Sequence, residues 1–368
     1  MNQQKLYQWL GEVTSQLNGL NRWQQDNIAL FSYGVASARS CQEWKIASYL
    51  SEYGQVASLR RRLQRFLSNQ GLRMSEFFRE WSGWVASGYS GKTLWLVVDE
   101  TKLHDRLAAM VVGLVYERRC IPLAWRCYVA NSAAAYPAEG QLEVIRQLLL
   151  AIREGLPDER RVVVLADRAL GACPALLRMI AELGWYYLCR VTKQSKLITA
   201  TKQEYTIYNM VQRGQHWQAS GLMFKRRGHL PAHARVLWAV EAAEPWALVT
   251  NDPSLSGYEY AKRNWQEQAF RDLKSHGWQW QLSQVLLPAH AERLLILLAV
   301  AYAWMLALGC LAVQQASSSS TLPLKTETVA GRATKRRQFS LFREGLALFN
   351  RAILHLRWRF APDPRFST

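Results

Sequence analysis

The sequence predicts an α/β fold: a mixed sheet flanked by helices, interrupted by a β-rich insertion and preceded by a helical region. Three observations carry this expectation. Two apolar runs, "TLWLVVDE" and "RVVVLADR", each lead into a carboxylate, as strands covered on both faces do where they reach a polar edge. Helix-like and strand-like segments alternate from the second run onward. The first ninety or so residues show helical texture only.

In chain order, "MNQQKLYQWLGEVTSQL" is an amphipathic helix without the basic start and apolar run of a signal peptide. "SCQEWKIASYL" and "VASLRRRLQRFLSN" read as two short helices joined by "SEYGQ". The second puts Val56, Leu59, Leu63 and Phe66 on one side and Arg60, Arg61 and Arg65 largely on the other. A helix-turn-helix and a plain helical hairpin share this outline, and either offers an arginine face to phosphates. Residues 1–90 are therefore expected to be a helical DNA-binding region.

"TLWLVVDE", "LAAMVVGLVYE" and "IPLAWRCYVA" form an antiparallel meander, with "ERRC" as the second turn. A helix (Glu139–Leu156), the strand "RVVVLADR", a helix in "ACPALLRMIAELG" and the strand "WYYLCRV" follow. Three antiparallel strands, helix, strand, helix, strand is the order of an RNase H-like fold, though several α/β folds share parts of it. Its first part is expected over 91–193. Short strands ("KLITAT", "HWQASGLMF", "ARVLWAVEA", "PWALVTN") make 194–255 a β-rich insertion, with Lys225, Arg226 and Arg227 at a basic, DNA-facing tip. Residues 256–315 return to the core. The Ser-rich "QQASSSSTLP" then opens a basic C-terminal helical tail, 316–368.

The chain has 368 residues and a formal charge of +18. Such an excess favours a polyanion, nucleic acid before an acidic membrane surface. Sixteen Trp and fifteen Tyr lie among the cations, where some suit base stacking and many suit the core. Six cysteines without a CxxC pair read as reduced cytosolic thiols, neither zinc site nor disulfide framework. Leu294–Val313 is uncharged and long enough to span a bilayer, but a helix buried on all sides gives the same pattern. His229 and His233 flank Pro231, which argues against one helical face and a metal site.

Candidate chemistry lies at the strand ends. If the two Asp-ending strands are neighbours, Asp99 and Asp167 lie a few ångströms apart, and a cation between them relieves their repulsion. Oxygen ligands without Cys or His suit Mg²⁺ or Mn²⁺. Downstream, Tyr260, Arg263, Glu267 and Lys274 fall at steps of three, four and seven. On one helix that spacing gathers them within roughly 60° of arc. Glu267 then supplies a third carboxylate, completing a set suited to two-metal phosphoryl displacement. Arg168, beside Asp167, is placed to touch DNA or to pair with an acid.

"LVVDETK", "VLADRALG" and "YAKRNWQEQAFRDLK" resemble the DDE-type insertion-sequence transposases marked by a Tyr-Arg-Glu-Lys signature, which Tyr260, Arg263, Glu267 and Lys274 match in full. The resemblance covers nearly the whole chain. It implies an RNase H-like catalytic domain with Asp99, Asp167 and Glu267 holding two Mg²⁺ ions, Mn²⁺ being an alternative. It implies that Tyr260, Arg263 and Lys274 hold DNA phosphates, that the partners are inverted-repeat ends and target DNA, and that the protein works as a homodimer on DNA in the cytoplasm, at the nucleoid. It implies a C-terminal region used for assembly and a buried helix after the signature, hence no membrane span. Some relatives stack an insertion Trp on a flipped base, for which Trp217 and Trp238 are candidates. A catalytically inactive, transposase-derived DNA-binding protein is the alternative function.

Overall fold

A computed structural model describes residues 2–132, 136–224, 228–318, 324–329, 332–337 and 339–351. Five helices come first: α1 (Asn2–Gln16), α2 (Arg22–Ala38), α3 (Glu43–Tyr49), α4 (Val56–Leu67) and α5 (Met74–Ser87). Asn21 caps α2 through a reciprocal box with Gln24, which satisfies two backbone donors at the helix start. In α4, Leu59, Leu63, Phe66 and Leu67 are buried, while Arg60, Arg61 and Arg65 are exposed. The arginine face expected there is thus free toward solvent.

The strands β1 (Thr93–Leu103), β2 (Leu107–Tyr116) and β3 (Arg119–Val129) form the meander. Its second turn holds Glu117 and Arg118, both with positive φ (46° and 65°), which suits the twist of a two-residue hairpin loop. After α6 (Gly140–Gly155), β4 (Arg161–Ala166) pairs parallel with β1; after α7 (Arg168–Gly171) and α8 (Pro174–Glu182), β5 (Tyr186–Arg190) pairs parallel with β4. The remaining strands are β6 (Lys196–Ile198), β7 (Glu204–Thr206), β8 (His216–Met223), β9 (Leu230–Leu237) and β10 (Trp246–Thr250). They extend the same sheet, giving the ten-stranded order β3-β2-β1-β4-β5-β10-β9-β8-β6-β7. The first five strands and their directions are consistent with an RNase H-like DDE domain. The β-rich segment is joined to them through β10, which pairs antiparallel with β5.

Two helices return to the core, α9 (Asn264–Leu273) on the meander and α10 (Pro288–Ser318) through the centre. An apolar stretch of α10 meets the length and composition of a membrane span, yet 94% of it is buried inside the fold. Trp304 on α10 stacks on Trp9 (4.0 Å, 9°), and the indole of Trp125 donates to the Glu292 carbonyl (2.9 Å). The six cysteines are free thiols, five of them buried.

Two expectations are corrected. The tail does not begin as a helix: β11 (Leu324–Val329) and β12 (Arg332–Arg337) form a separate antiparallel ribbon, and α11 starts only at Leu341 (Leu341–Arg351). Alternating β-branched residues in "LKTETV" favour strand over helix. The four signature residues also do not share one helix. Tyr258–Arg263 is a 3₁₀ turn, and Lys274 caps α9 with non-helical angles (φ −94°, ψ −117°).

Candidate active site

The sheet itself sets the first two carboxylates side by side. In the parallel β1–β4 ladder, Val98 is level with Ala166, so the residues that follow, Asp99 and Asp167, are neighbours across the strand gap. Strand alternation sends Glu100 to the other face, where Tyr128 donates to it. Asp167 is the N-cap of α7: its Oδ1 accepts from the amides of Ala169 (2.9 Å) and Leu170 (3.2 Å), which leaves Oδ2 directed elsewhere.

The third carboxylate arrives from α9. Gly257 (φ 99°) occupies the left-handed region at the entry to the 3₁₀ turn. Helix α9 then lies close on the meander because Gly113 of β2 has no side chain. A Cβ there would stand 2.4 Å from Gln266 Oε1, and Gln266 is fully buried. This contact seats Gln266 and so places the adjacent Glu267.

All three carboxylates meet one cation. Arg263 Nη2 donates to Asp99 Oδ2 at 3.0 Å and lies 4.0 Å from Asp167 Oδ2, and Nη1 donates to Glu267 Oε1 at 2.5 Å. The Arg263 side chain is only 16% exposed, and its Nε is buried without a partner. Burial, the nearby Asp167 and Glu267 raise the Asp99 carboxyl to about 6, despite the opposing pull of Arg263 and of the Glu100 amide. Burial works against the Arg263 charge, but Asp99, Tyr260, Glu267 and Asp167 together hold its pKa above the usual range.

Lys274 and Tyr260 frame this cluster. Lys274 Nζ donates to Thr101 Oγ1 (2.6 Å) and the Lys102 carbonyl (2.7 Å), just beyond Asp99 on β1, and burial lowers its pKa. Tyr260 is buried and edge-on to Trp246 (5.3 Å, 75°); burial pushes its hydroxyl well above the usual range.

Beside Asp167 lies a second ionic cluster that no sequence pattern announces. Glu244, in the loop before β10, accepts from Arg168 (2.7 Å) and Arg190 (2.5 Å), pairs with Lys193 (3.1 Å) and accepts from Tyr208 (3.3 Å). Lys193 foremost, with Arg168 and Arg190, pulls the Glu244 carboxyl down to about 2. Of the two sequence readings of Arg168, the acid pair is therefore the one present.

Other candidates stand apart. Arg60, Arg61 and Arg65 are on the exposed face of α4, outside the acid cluster. Lys225, Arg226 and Arg227 lie outside the described residues. Trp217 packs against Tyr205 (5.9 Å), and Trp238 donates to the Ala242 carbonyl (3.1 Å). His233 Nδ1 is engaged by Ser220 (2.7 Å).

Among the described residues, no three His, Cys, Asp or Glu side chains are arranged to hold a metal ion as they stand, and the Arg263 guanidinium lies among the three acids. The donor set nevertheless fits a hard divalent ion: three carboxylates reach a single positive group, and the pocket offers oxygen rather than sulfur or imidazole. Three acids against one arginine leave an excess of negative charge that a divalent cation would balance.

No curated protein matches the chain. Residues 137–304 match the family model described as Transposase DDE domain, a span that includes Asp167 and Glu267 and begins after Asp99. Over those residues the chain carries a transposase DDE domain.

Proposed function

We propose that the protein binds the terminal inverted repeats of its own element and carries out metal-dependent cleavage and strand transfer of DNA, with Asp99, Asp167 and Glu267 as the metal ligands. One observation carries the reading: acids from β1, from the end of β4 and from α9, far apart in sequence, converge on one cationic group. When bound, a pair of Mg²⁺ ions, or Mn²⁺, supplies charge neutralisation and an activated water or DNA 3′-hydroxyl for in-line displacement at phosphorus.

The chain's own residues do the positioning. The α7 amides fix one oxygen of Asp167, so the other keeps its direction. Lys274 ties α9 to the end of β1, holding Glu267 against Asp99 and Asp167. Arg263 is the bidentate phosphate donor, Lys274 the point charge and Tyr260 the hydroxyl donor that hold DNA beside the acids. Exposed arginines on α4 and the basic Lys225–Arg227 segment extend the duplex contact, with salt-dependent affinity. The nucleophile is water or a DNA hydroxyl, so no covalent protein–DNA bond is required. Joining two ends calls for a homodimer on DNA, and such substrates place the protein at the nucleoid.

The test is cleavage of a duplex taken from the DNA flanking the coding region, with Mg²⁺. Asp99→Ala, Asp167→Ala and Glu267→Ala should each lose at least about 10³-fold, equivalent to roughly 4 kcal/mol of transition-state stabilisation. Cleavage that survives any of the three removes the assignment.

A further inference from the structure

We propose that Arg263 is a built-in counter-ion that keeps the acid pocket closed to metal until a DNA phosphate draws its guanidinium away, making metal loading conditional on DNA. The inference rests on the metal reading above and adds an order of events to it.

The geometry is that of a stand-in cation. Arg263 donates to Asp99 (3.0 Å) and to Glu267 (2.5 Å) and reaches Asp167 (4.0 Å). These are the three groups a metal would need. With the guanidinium between them, no metal-holding set exists among the described residues. A dication and an arginine cannot share that space, because each repels the other and both need the same oxygens. Exchange of one for the other is therefore the only route to a loaded site.

Two features let the exchange occur without refolding. Arg263 is flanked by buried Tyr260 on one side and buried Gln266 on the other, anchors that favour motion of the side chain over motion of the backbone. The outermost acid, Glu267, has a side chain 47% exposed, so the Arg263–Glu267 pair is the face that DNA meets first. A phosphate offers the guanidinium the same bidentate acceptor geometry as a carboxylate. It can take the fork without leaving arginine unpaired. Glu267, the most solvent-exposed of the three, is released first.

In a two-state description, the apparent metal affinity falls by the fraction of molecules whose pocket is open. If that fraction is about a tenth, free protein binds metal about tenfold more weakly than protein on DNA. Linkage requires the converse: metal should tighten DNA binding by the same factor.

Mn²⁺ binding to the full chain, followed by calorimetry and by the electron paramagnetic resonance of free Mn²⁺, tests this without turnover. The expected result is weak binding by the wild type alone and binding at least about tenfold tighter with a duplex of about 40 bp taken from the DNA flanking the coding region. Arg263→Gln should bind Mn²⁺ without DNA about as tightly as the wild type does with it, and DNA should add little. Arg263→Lys, which keeps the charge but loses the fork, should fall between. Equal Mn²⁺ affinity of the wild type with and without DNA overturns the proposal, and needs no variant. So does an Arg263→Gln protein that keeps the wild-type melting temperature but binds no better alone. If Asp99→Asn and Asp167→Asn leave Mn²⁺ binding to the DNA complex intact, the metal site is elsewhere and the functional reading fails with the inference.

Discussion

Asp99 is expected to make the metal-free fold less stable at neutral pH than an uncharged residue of the same shape would. Its carboxyl rises from 3.8 to about 6 on folding, with burial as the main cause. At about 1.4 kcal/mol per pH unit, the difference is on the order of 3 kcal/mol. The sign follows from which state holds the proton. Below pH 3.8 Asp99 is neutral in both states and contributes no penalty. Between 3.8 and about 6 the unfolded chain ionises while the fold resists, so stability falls as pH rises; above about 6 the full penalty is present. Asp99→Asn removes the charge while keeping the shape, at the loss of one charge-assisted bond from Arg263. In EDTA at pH 8, urea unfolding should show the variant about 1–3 kcal/mol more stable than the wild type, the gap closing toward pH 4. Titrating groups remote from the cluster cancel in the difference between the two proteins, while Asp167, Glu267 and Arg263, which couple to Asp99, contribute to it. A variant that is less stable at pH 8, or a gap independent of pH, would refute the burial account of this carboxylate.

Other expectations follow from the same geometry. Gly113→Ala puts a Cβ where Gln266 Oε1 lies at 2.4 Å, displacing α9; cleavage should drop about 10²-fold with roughly 1–3 kcal/mol of stability lost, and adding Gln266→Ala should restore both in part. Asp167→Asn and Asp167→Ala should both abolish cleavage, but only the alanine should also lose the α7 cap, about 1 kcal/mol by urea titration. Glu244→Gln frees Arg168, Arg190 and Lys193 next to the acids; DNA binding should tighten and its salt dependence steepen by about one to three counterions, read by fluorescence anisotropy across a salt series.

What was readable in the sequence is what short-range patterning encodes. The apolar runs of β1 and β4 could hardly be anything but covered strands, and each led straight to its aspartate. The buried and exposed sides of α4 followed from helical period alone. Long-range pairing was less accessible. Nothing in "PWALVTN" says that β10 lies against β5 and fuses the β-rich segment to the core sheet, because a strand's partner is chosen by tertiary packing. The change from 3₁₀ to α at Asn264 carries no Pro or Gly to announce it. The place of Arg263 at the hub of the acids was not legible, since a helical spacing shows its contact with Glu267 and is silent about Asp99 and Asp167. Glu244 gave no signal, being one acid in a loop whose partners lie on separate elements.

The pairing of β1 with β4 bears on how much this scaffold can change without losing its chemistry. The lateral offset between the two aspartates is dictated by peptide hydrogen bonds, at the ordinary inter-strand spacing of about 4.8 Å, and owes nothing to the length of the intervening chain. Loops and helices between them can therefore be lengthened, trimmed or exchanged over evolutionary time while the two oxygens stay in register.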